Sequence, residues 1–227
     1  MTRGARAFVW VGGGLFVASL ALTAFVYLWP FGASTPFAGW GGAAFDGLLF
    51  LVFAAHHSGF ARDSVKDMVA ARVPERLIRS TYVYIASELL IVVCLLWRPV
   101  GGVVYTATGA VFALLAAVQL LGLGFIAASV RAIDGLELAG IREPAANTAL
   151  QVAGPYRVVR HPLYLGWMLA VFGTPHLTGD RLAFAIVSSA YLVVAVPWEE
   201  RSLERVFGES YRRYQQRVRW RVVPFVY

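Results

Sequence analysis

The sequence predicts an all-α membrane protein: a bundle of about six spanning helices, the last two forming a helical hairpin, followed by a C-terminal amphipathic helix. Of its 227 residues, 59% are hydrophobic and 15% are charged, whereas soluble domains are about 45–50% apolar and about 25% charged. The apolar runs are long enough to cross a bilayer, which takes about 20 helical residues. The single cysteine, Cys94, excludes a disulfide scaffold.

Six apolar runs account for the predicted spans. The fifth and sixth are shorter and are separated by a turn-like stretch at 177–181, which is why we interpret them as a hairpin. The fifth begins at a proline motif, so a tilted or partly re-entrant course stays open for it. In chain order the predicted spans are 8–29, 42–60, 81–97, 103–130, 163–176 and 182–198. The first is longer than the roughly 7–15-residue apolar region of a signal peptide.

The basic residues fall on alternating loops between these spans. Of the 20 Lys and Arg, 18 lie at the N-terminus, after span two, after span four or in the C-terminal tail, and only Arg98 and Arg181 lie on the other side. Because cytoplasmic loops carry excess Lys and Arg, we expect both termini in the cytoplasm. This orientation accounts for the formal net charge of +7 without a nucleic-acid partner.

Asp46, Glu88 and His57 are ionisable residues within the predicted spans, where such groups are costly and often functional. Asp46, early in span two, is expected near the outer interface. Glu88, near the middle of span three, is either a buried carboxylate paired with a neighbouring Arg, Tyr or Gln119, or part of the wall of a substrate cavity. His57 lies roughly 22 Å along span two, near its cytoplasmic end, as a satisfied interfacial histidine or as a site residue.

A basic loop precedes span five. Pro162 suits the first position of a helix because it lacks only an amide that would be unpaired there, and proline favours extended backbone before it, at Arg160 and His161. Free amides at such a helix start suit an anionic ligand group. A juxtamembrane loop that contacts lipid phosphates would explain the same residues.

Tandem carboxylates, Glu199 and Glu200, follow span six. We interpret them as the start of the C-terminal amphipathic helix, a kind of helix that can lie on the membrane surface. Its apolar stripe, at spacings of 4, 4, 3 and 4, consists of Leu203, Phe207, Tyr211, Tyr214 and Val218. With His57 and the loop at 160–164, the tandem carboxylates converge on the cytoplasmic leaflet.

Motifs that the sequence lacks narrow its function. It has no Walker loop, no zinc-type Cys/His spacing and no HExxH motif, so no metal site is predicted. Glycines at 12–14, 122 and 124 lie inside spans, where they favour close helix packing over a Rossmann-type phosphate loop.

Several short segments occur in a specific order: GPYR at 154–157, RHPLYLG at 160–166, EERSL at 199–203 and FG at 207–208. This order resembles the integral-membrane methyltransferases related to isoprenylcysteine carboxyl methyltransferase. The resemblance implies S-adenosylmethionine as the methyl donor, bound in a cytosolic pocket by the second segment and the helix with the tandem Glu. The implied donor-binding residues are Tyr156, Arg160, His161, Pro162, Tyr164, Gly166, Glu199 and Glu200.

A longer resemblance covers about residues 45–225. HS at 57–58, RSTYV at 79–83, LWRPVGGVV at 96–104 and WEER at 198–201 resemble the bacterial methanethiol S-methyltransferase branch of this family. The resemblance implies a small thiol such as methanethiol as acceptor, dimethyl sulfide as product and a multi-pass location in the bacterial inner membrane.

These observations predict one integral-membrane methyltransferase domain over 1–227. The first span and outer loop occupy 1–41, spans two to four occupy 42–130, and the donor-binding loop, hairpin and C-terminal helix occupy 131–227.

A thiol acceptor needs activation, because the thiolate is the nucleophile and most thiols are protonated near neutral pH. We expect His57 to be the base, since histidine titrates near neutrality. Arg79 or Arg157 could instead stabilise the thiolate. The residues expected to contact the acceptor are Ser58, Tyr82, Glu88 and Trp198.

Other functions stay open at this point. Within the methyltransferases, the acceptor could be a prenylcysteine carboxylate, a lipid amine or another hydrophobic thiol. From other classes, His57 and His161 could be axial ligands of a b-type haem, or the chain could be a membrane scaffold without enzymatic activity.

Overall fold

The computed structural model is mostly helical and describes residues 2–60, 62–133, 135–142 and 149–227, without the side chains of 63 and 64. In chain order the elements are α1 (Arg3–Leu28), α2 (Gly41–Gly59), α3 (Asp63–Ala70), α4 (Glu75–Leu96), β1 (Val103–Thr106), α5 (Gly109–Ala132), α6 (Gly135–Leu138), a 3-10 helix (Gly154–Arg157), α7 (Pro162–Phe172), β2 (His176–Thr178), α8 (Gly179–Phe207) and α9 (Glu209–Arg217). The chain forms two compact units, the first built from 1–102 with 134–146 and the second from 103–133 with 147–227.

Within the described residues, four helices, α1, α4, α5 and α8, are long and apolar enough to cross a membrane. The protein is therefore an integral membrane protein by the length and composition of its helices. Of the other two predicted spans, α2 has 19 residues and α7 has 11. The six-span arrangement with a terminal hairpin stays a prediction.

The first unit is built around α4, which packs against α1 and α2. Small residues allow close approach: a Cβ atom on Gly13 would lie 2.5 Å from the Cδ1 atom of Ile141. Asp46, expected near an interface, is only 1% exposed, and its Oδ1 atom accepts the backbone N–H of Arg98 at 2.9 Å. This carboxylate therefore ties α2 to the segment after α4.

In the second unit, α5 and α7 pack with their backbones in contact. A Cβ atom on Gly122 would lie 2.6 Å from the carbonyl oxygen of Gly166, and one on Gly166 would lie 2.7 Å from that of Gly122. The predicted packing role of Gly122 is confirmed, and the same contact explains the glycine at 166. Small residues are the usual means by which helices approach closely in membranes.

A short antiparallel sheet was not part of the all-α prediction. β1 pairs with β2, with Val103 opposite Thr178 and Thr106 opposite His176. Hydropathy assigned 103–108 to span four, but α5 begins only at Gly109. The sequence VVYT consists of β-branched and aromatic residues, which favour strands, and it follows Gly101 and Gly102, which both have positive φ.

The last predicted span and the C-terminal helix also differ from expectation. α8 continues without a break through Pro197 and past the end of the apolar run, so Glu199 and Glu200 lie inside a helix and not at a helix start. The prediction ended the span where the apolar run ends. The helix continues because its backbone hydrogen bonds do not depend on whether the side chains are apolar or charged. The break comes at Gly208, whose φ of 52° suits glycine, and it divides the apolar stripe between α8 and α9.

We expect Gly122→Ala to lower the thermal unfolding midpoint of the detergent-purified protein, because the added methyl group must push α5 and α7 apart at a cost of about 1–3 kcal/mol. Gly124→Ala is the matched control, since nothing lies within 4 Å of a Cβ atom there. An unchanged midpoint for Gly122→Ala would contradict the backbone contact.

Candidate active site

The centre of the site is a carboxylate buried between two arginines. Glu200 is 4% exposed. Its Oε1 atom accepts the Nε–H of Arg160 at 2.6 Å, and its Oε2 atom accepts the Nε–H of Arg221 at 3.1 Å. A buried charge is tolerated only when it is paired and hydrogen-bonded. Both oxygens of this carboxylate are therefore held by the protein.

Arg160 also joins two distant parts of the chain. Its Nη1 atom donates to the carbonyl oxygens of Val218 and Arg219, both at 2.8 Å. Beside these bonds, the backbone N–H of Arg160 donates to the carbonyl oxygen of Trp220, and that of His161 donates to the carbonyl oxygen of Arg221. The segment before α7 thus runs beside the C-terminal segment, tied by backbone and side-chain hydrogen bonds.

His161, Tyr164 and Glu199 form a second cluster beside the first. The rings of His161 and Tyr164 stack with their centroids 5.3 Å apart, and the Tyr164 hydroxyl donates to Oε2 of Glu199 at 2.6 Å. The Nδ1 atom of His161 lies 3.5 Å from the same carboxylate oxygen. His161 and Tyr164 are one helical turn apart at the start of α7, which brings their rings together.

The two neighbouring glutamates differ in their surroundings. The Glu199 side chain is 42% exposed, whereas that of Glu200 is 5% exposed. Between them, the buried Nε2 atom of His161 lies 3.5 Å from Glu200 and makes no hydrogen bond within the described part of the chain. The site therefore offers the partly exposed Glu199 carboxylate to a polar ligand group, whereas Nε2 of His161 faces the buried Glu200.

The local backbone agrees with the sequence prediction at Pro162, whereas His161 is non-helical without being fully extended. Pro162 is the first residue of α7, and His161 before it has φ −120° and ψ 67°. Proline fits there because the amide it lacks would have no partner within the helix. Arg160 and His161 consequently leave the helix start in a non-helical course that brings their amides to the C-terminal segment.

Three tyrosines surround this site from outside the spanning helices. The Tyr214 hydroxyl donates to the carbonyl oxygen of Tyr156 at 2.7 Å. Burial raises the pKa of Tyr214, and burial together with the negative charge of Glu200 raises the pKa of Tyr211. Burial and then Glu199 raise the pKa of Tyr156. These phenols stay protonated and neutral at physiological pH.

Sequence reasoning missed the roles of Tyr211, Tyr214 and Arg221. The tyrosines counted only as part of an apolar stripe and the arginine only as a cytoplasmic charge. The structure buries Tyr211 and Tyr214, at 1% and 3% exposure, within the second unit. Phenols in place of aliphatic residues were the only sequence signal; nothing in the sequence distinguished Arg221 from its neighbours.

The first unit contains most of the residues predicted for the acceptor. The Tyr82 hydroxyl lies 2.5 Å from Nδ1 of His57, so the structure brings these two predicted residues together. The ring of His56 also stacks on that of Tyr82, with their centroids 5.8 Å apart. Arg79 donates from Nε to the carbonyl oxygen of Glu137 at 2.6 Å.

The remaining predicted residues are less constrained. Ser58 is partly exposed, and Glu88, Arg157 and Trp198 are exposed. One of the partners suggested for Glu88 is engaged elsewhere, because the Gln119 amide donates to the carbonyl oxygen of Ala170. Among the residues that the structure describes, no three His, Cys, Asp or Glu side chains come together as a metal site.

Comparison with known proteins relates the chain to methyltransferases. A family model described as phospholipid methyltransferase matches residues 97–210. Methanethiol S-methyltransferase 2 of Bradyrhizobium diazoefficiens is 37% identical over 179 residues, which are 75% of this chain and 69% of the relative. Methanethiol S-methyltransferase of Pseudomonas deceptionensis is 36% identical over 198 residues, 82% of this chain and 73% of the relative.

A shorter similarity reaches another kind of methyltransferase. Protein-S-isoprenylcysteine O-methyltransferase B of Arabidopsis thaliana is 36% identical over 80 residues, which are 34% of this chain and 40% of the relative. No solved structure matches.

We expect the buried tyrosines to make the protein unstable at alkaline pH. Their pKa is raised in the folded state, so the unfolded chain releases its phenolic protons first, and stability is lost as pH rises above about 10, the ordinary tyrosine value. A spectroscopic titration should show a group of tyrosines that ionise only on unfolding.

Tyr211→Phe and Tyr214→Phe should each remove one tyrosine from that group. The same titration in denaturant is the control, in which every tyrosine should ionise near its ordinary pKa. If all ten tyrosines ionise together in the folded protein, the burial of these phenols is contradicted.

Proposed function

Because the chain belongs to the phospholipid methyltransferase family and is a membrane methyltransferase, we propose that it transfers the methyl group of S-adenosylmethionine to a small thiol, with methanethiol as acceptor and dimethyl sulfide as product. The observation that carries the proposal is the cluster of His161, Tyr164 and Glu199 beside the buried Glu200. The names of relatives that align with three quarters or more of the chain support the thiol acceptor.

The residues of this cluster fit the polar groups of such a donor. The partly exposed carboxylate of Glu199, with one oxygen held by Tyr164, can accept hydrogen bonds from an ammonium group or from ribose hydroxyls. The buried Nε2 atom of His161 lies 3.5 Å from Oε1 of Glu200, so this ring joins the partly exposed Glu199 to the buried centre of the pocket. Bound S-adenosylmethionine would supply the reactive methyl group on its sulfonium.

Arg160 has a different part in this proposal from the one its sequence position suggested. The family resemblance implied that Arg160 contacts the donor directly. Its Nε and Nη1 atoms are engaged by Glu200 and by the carbonyls of Val218 and Arg219. We therefore assign Arg160 to holding the pocket, with Tyr156, Pro162 and Gly166 shaping the backbone around it.

His57 is the proposed base for the thiol. Its contact with the Tyr82 hydroxyl orients the imidazole, and an oriented imidazole can take the proton as the thiolate forms. The thiolate sulfur then bonds to the methyl carbon as the carbon–sulfonium bond breaks, and the proton stays on His57. Arg79 and Arg157 are the proposed alternatives that would stabilise the thiolate, and Ser58, Tyr82, Glu88 and Trp198 the proposed acceptor contacts.

Positive and negative charges cancel in this transfer. Moving such a reaction out of water favours it, because the separated charges of the reactants are better solvated than the neutral sulfide. A membrane-embedded site supplies that environment. The proposal places the protein in the bacterial inner membrane, with six spans and with the termini and site cytoplasmic. The distribution of 18 of 20 basic residues supports this orientation.

The second candidate is a carboxyl or lipid methyltransferase. Its support is the 80-residue similarity to an isoprenylcysteine O-methyltransferase, which covers a third of the chain. A haem protein is disfavoured, because the His161 ring is stacked on Tyr164 and lies 3.5 Å from both carboxylates.

The acceptor is tested with a panel of methyl acceptors and labelled S-adenosylmethionine. The panel contains methanethiol, sulfide, longer alkyl thiols and a prenylcysteine analogue. We expect methanethiol to have the highest kcat/KM, with dimethyl sulfide detected as the product by gas chromatography. Methylation of the prenylcysteine analogue alone would overturn the thiol assignment in favour of the second candidate.

His57→Ala should lower kcat by about 10²–10⁴-fold while leaving donor affinity, measured by calorimetry, unchanged. Raising the pH should restore part of the rate, because the thiol then ionises without a base. A loss of donor affinity, or a rate that stays low at every pH, would contradict the role as base.

Glu199→Gln should weaken donor binding by about tenfold, since a carboxylate accepts from ammonium and hydroxyl groups better than an amide does. Glu204→Gln, one turn further along α8, is the matched control and should bind the donor normally. Equal affinity in both variants would mean that the donor site lies elsewhere.

A further inference from the structure

We propose that Arg221 is a positioning residue of the donor site, acting through Glu200. The inference rests on the proposed donor site and adds to it the segment 218–227, which we call the C-terminal clasp. No sequence motif singled out this arginine. Its importance follows from four contacts: one with Glu200, one within the clasp that holds its guanidinium group, and two that join the clasp to the rest of the second unit.

The first contact is with the buried carboxylate. Arg221 donates from Nε to Oε2 of Glu200 at 3.1 Å, while Arg160 occupies Oε1. The Glu200 side chain is 5% exposed and that of Arg221 is 37% exposed. Without Arg221, one oxygen of a buried carboxylate would lose its partner, and Glu200 would have to rotate toward another donor.

The second contact holds the guanidinium in place. Its Nη1 atom donates to the Tyr227 hydroxyl at 3.1 Å, and its central carbon lies 5.1 Å from the centre of the Tyr227 ring. The backbone N–H groups of Arg221, Val222 and Val223 all donate to the backbone oxygen of Tyr227. The clasp is therefore a closed turn, and its contacts with Tyr227 hold the Arg221 guanidinium group where it reaches Glu200.

The third and fourth contacts connect the clasp to the rest of the second unit. Val222 is fully buried in a core cluster with Val159, Leu165 and Val196, which fixes the clasp against α7 and α8. The carbonyl oxygen of Arg221 accepts the backbone N–H of His161 at 2.8 Å. A shift at Arg221 therefore reaches His161 twice, through its backbone and through Glu200.

In this arrangement Glu199 and Glu200 have different proposed roles. Glu200 has both oxygens held by guanidinium groups and lies at the centre of the support. Glu199 is half-exposed and contacts Tyr164, so it is the carboxylate available to the donor. Removing Arg221 should disturb donor binding while leaving the acceptor residues of the first unit, and hence the acceptor KM, unchanged.

The test compares Arg221→Ala, Arg221→Lys and Arg219→Ala in the full-length protein purified in detergent. Arg219→Ala is the matched control, because Arg219 is exposed and its substitution removes the same charge two residues away. Donor affinity is measured by calorimetry with S-adenosylmethionine, and thermal unfolding is followed on the same samples. Kinetic runs give the KM for donor and acceptor separately.

We expect Arg221→Ala to weaken donor affinity by about fivefold to twentyfold, with the KM for the thiol unchanged. Arg221→Lys should recover part of the affinity, because an ammonium group can still donate to Glu200. Arg219→Ala should change donor affinity by about twofold or less, as an exposed charge is screened by solvent.

Donor affinity in Arg221→Ala equal to that in Arg219→Ala would overturn the proposal. So would a lower unfolding temperature or a smaller active fraction with unchanged donor affinity, because a merely structural residue gives that result. If Arg221→Ala does not fold, Tyr227→Phe, which removes the hydroxyl that holds Nη1, is expected to weaken donor affinity in the same direction, and normal affinity there would overturn the proposal. A wild-type protein that binds no S-adenosylmethionine would instead refute the proposed function itself.

Discussion

The burial of one carboxylate determines how the second unit is organised. The Glu200 carboxylate is hydrogen-bonded inside the protein by Arg160 and Arg221, which are far apart in the sequence, and His161 lies 3.5 Å from it. These contacts bring together the segment before α7, the middle of α8 and the C-terminal clasp. A hydrophobic cluster of Val159, Leu165, Val196 and Val222 packs beside these charges and keeps them in register.

A second constraint comes from the membrane. Apolar helices gain little by burying side chains against each other when lipid is the alternative, so close packing needs small residues. Gly122 and Gly166 provide that contact between α5 and α7, and α7 in turn positions His161 and Tyr164 at its start. The polar site thus depends on an apolar contact one to two turns further along the same helix.

The two glutamates illustrate how identical residues acquire different chemistry. Glu199 and Glu200 are adjacent on α8, but successive residues on a helix point about 100° apart. One therefore faces the arginines and the core, and the other faces Tyr164 and solvent. In the proposed function, Glu200 supports the pocket and Glu199 contacts the ligand. The imidazole–phenol pair of His57 and Tyr82 is a distinct polar centre in the first unit.

The sequence by itself determined the membrane character and the family, because hydropathy and short ordered motifs are local properties; the donor-binding residues that it implied stay a prediction. It also placed Pro162 correctly at a helix start. It did not reveal the β1–β2 pairing, the continuation of α8 past Trp198, or the role of Arg221. Those features depend on contacts between residues far apart in the chain. Arg221 and Arg219 are alike in sequence, and only the fold decides which of them reaches a buried carboxylate.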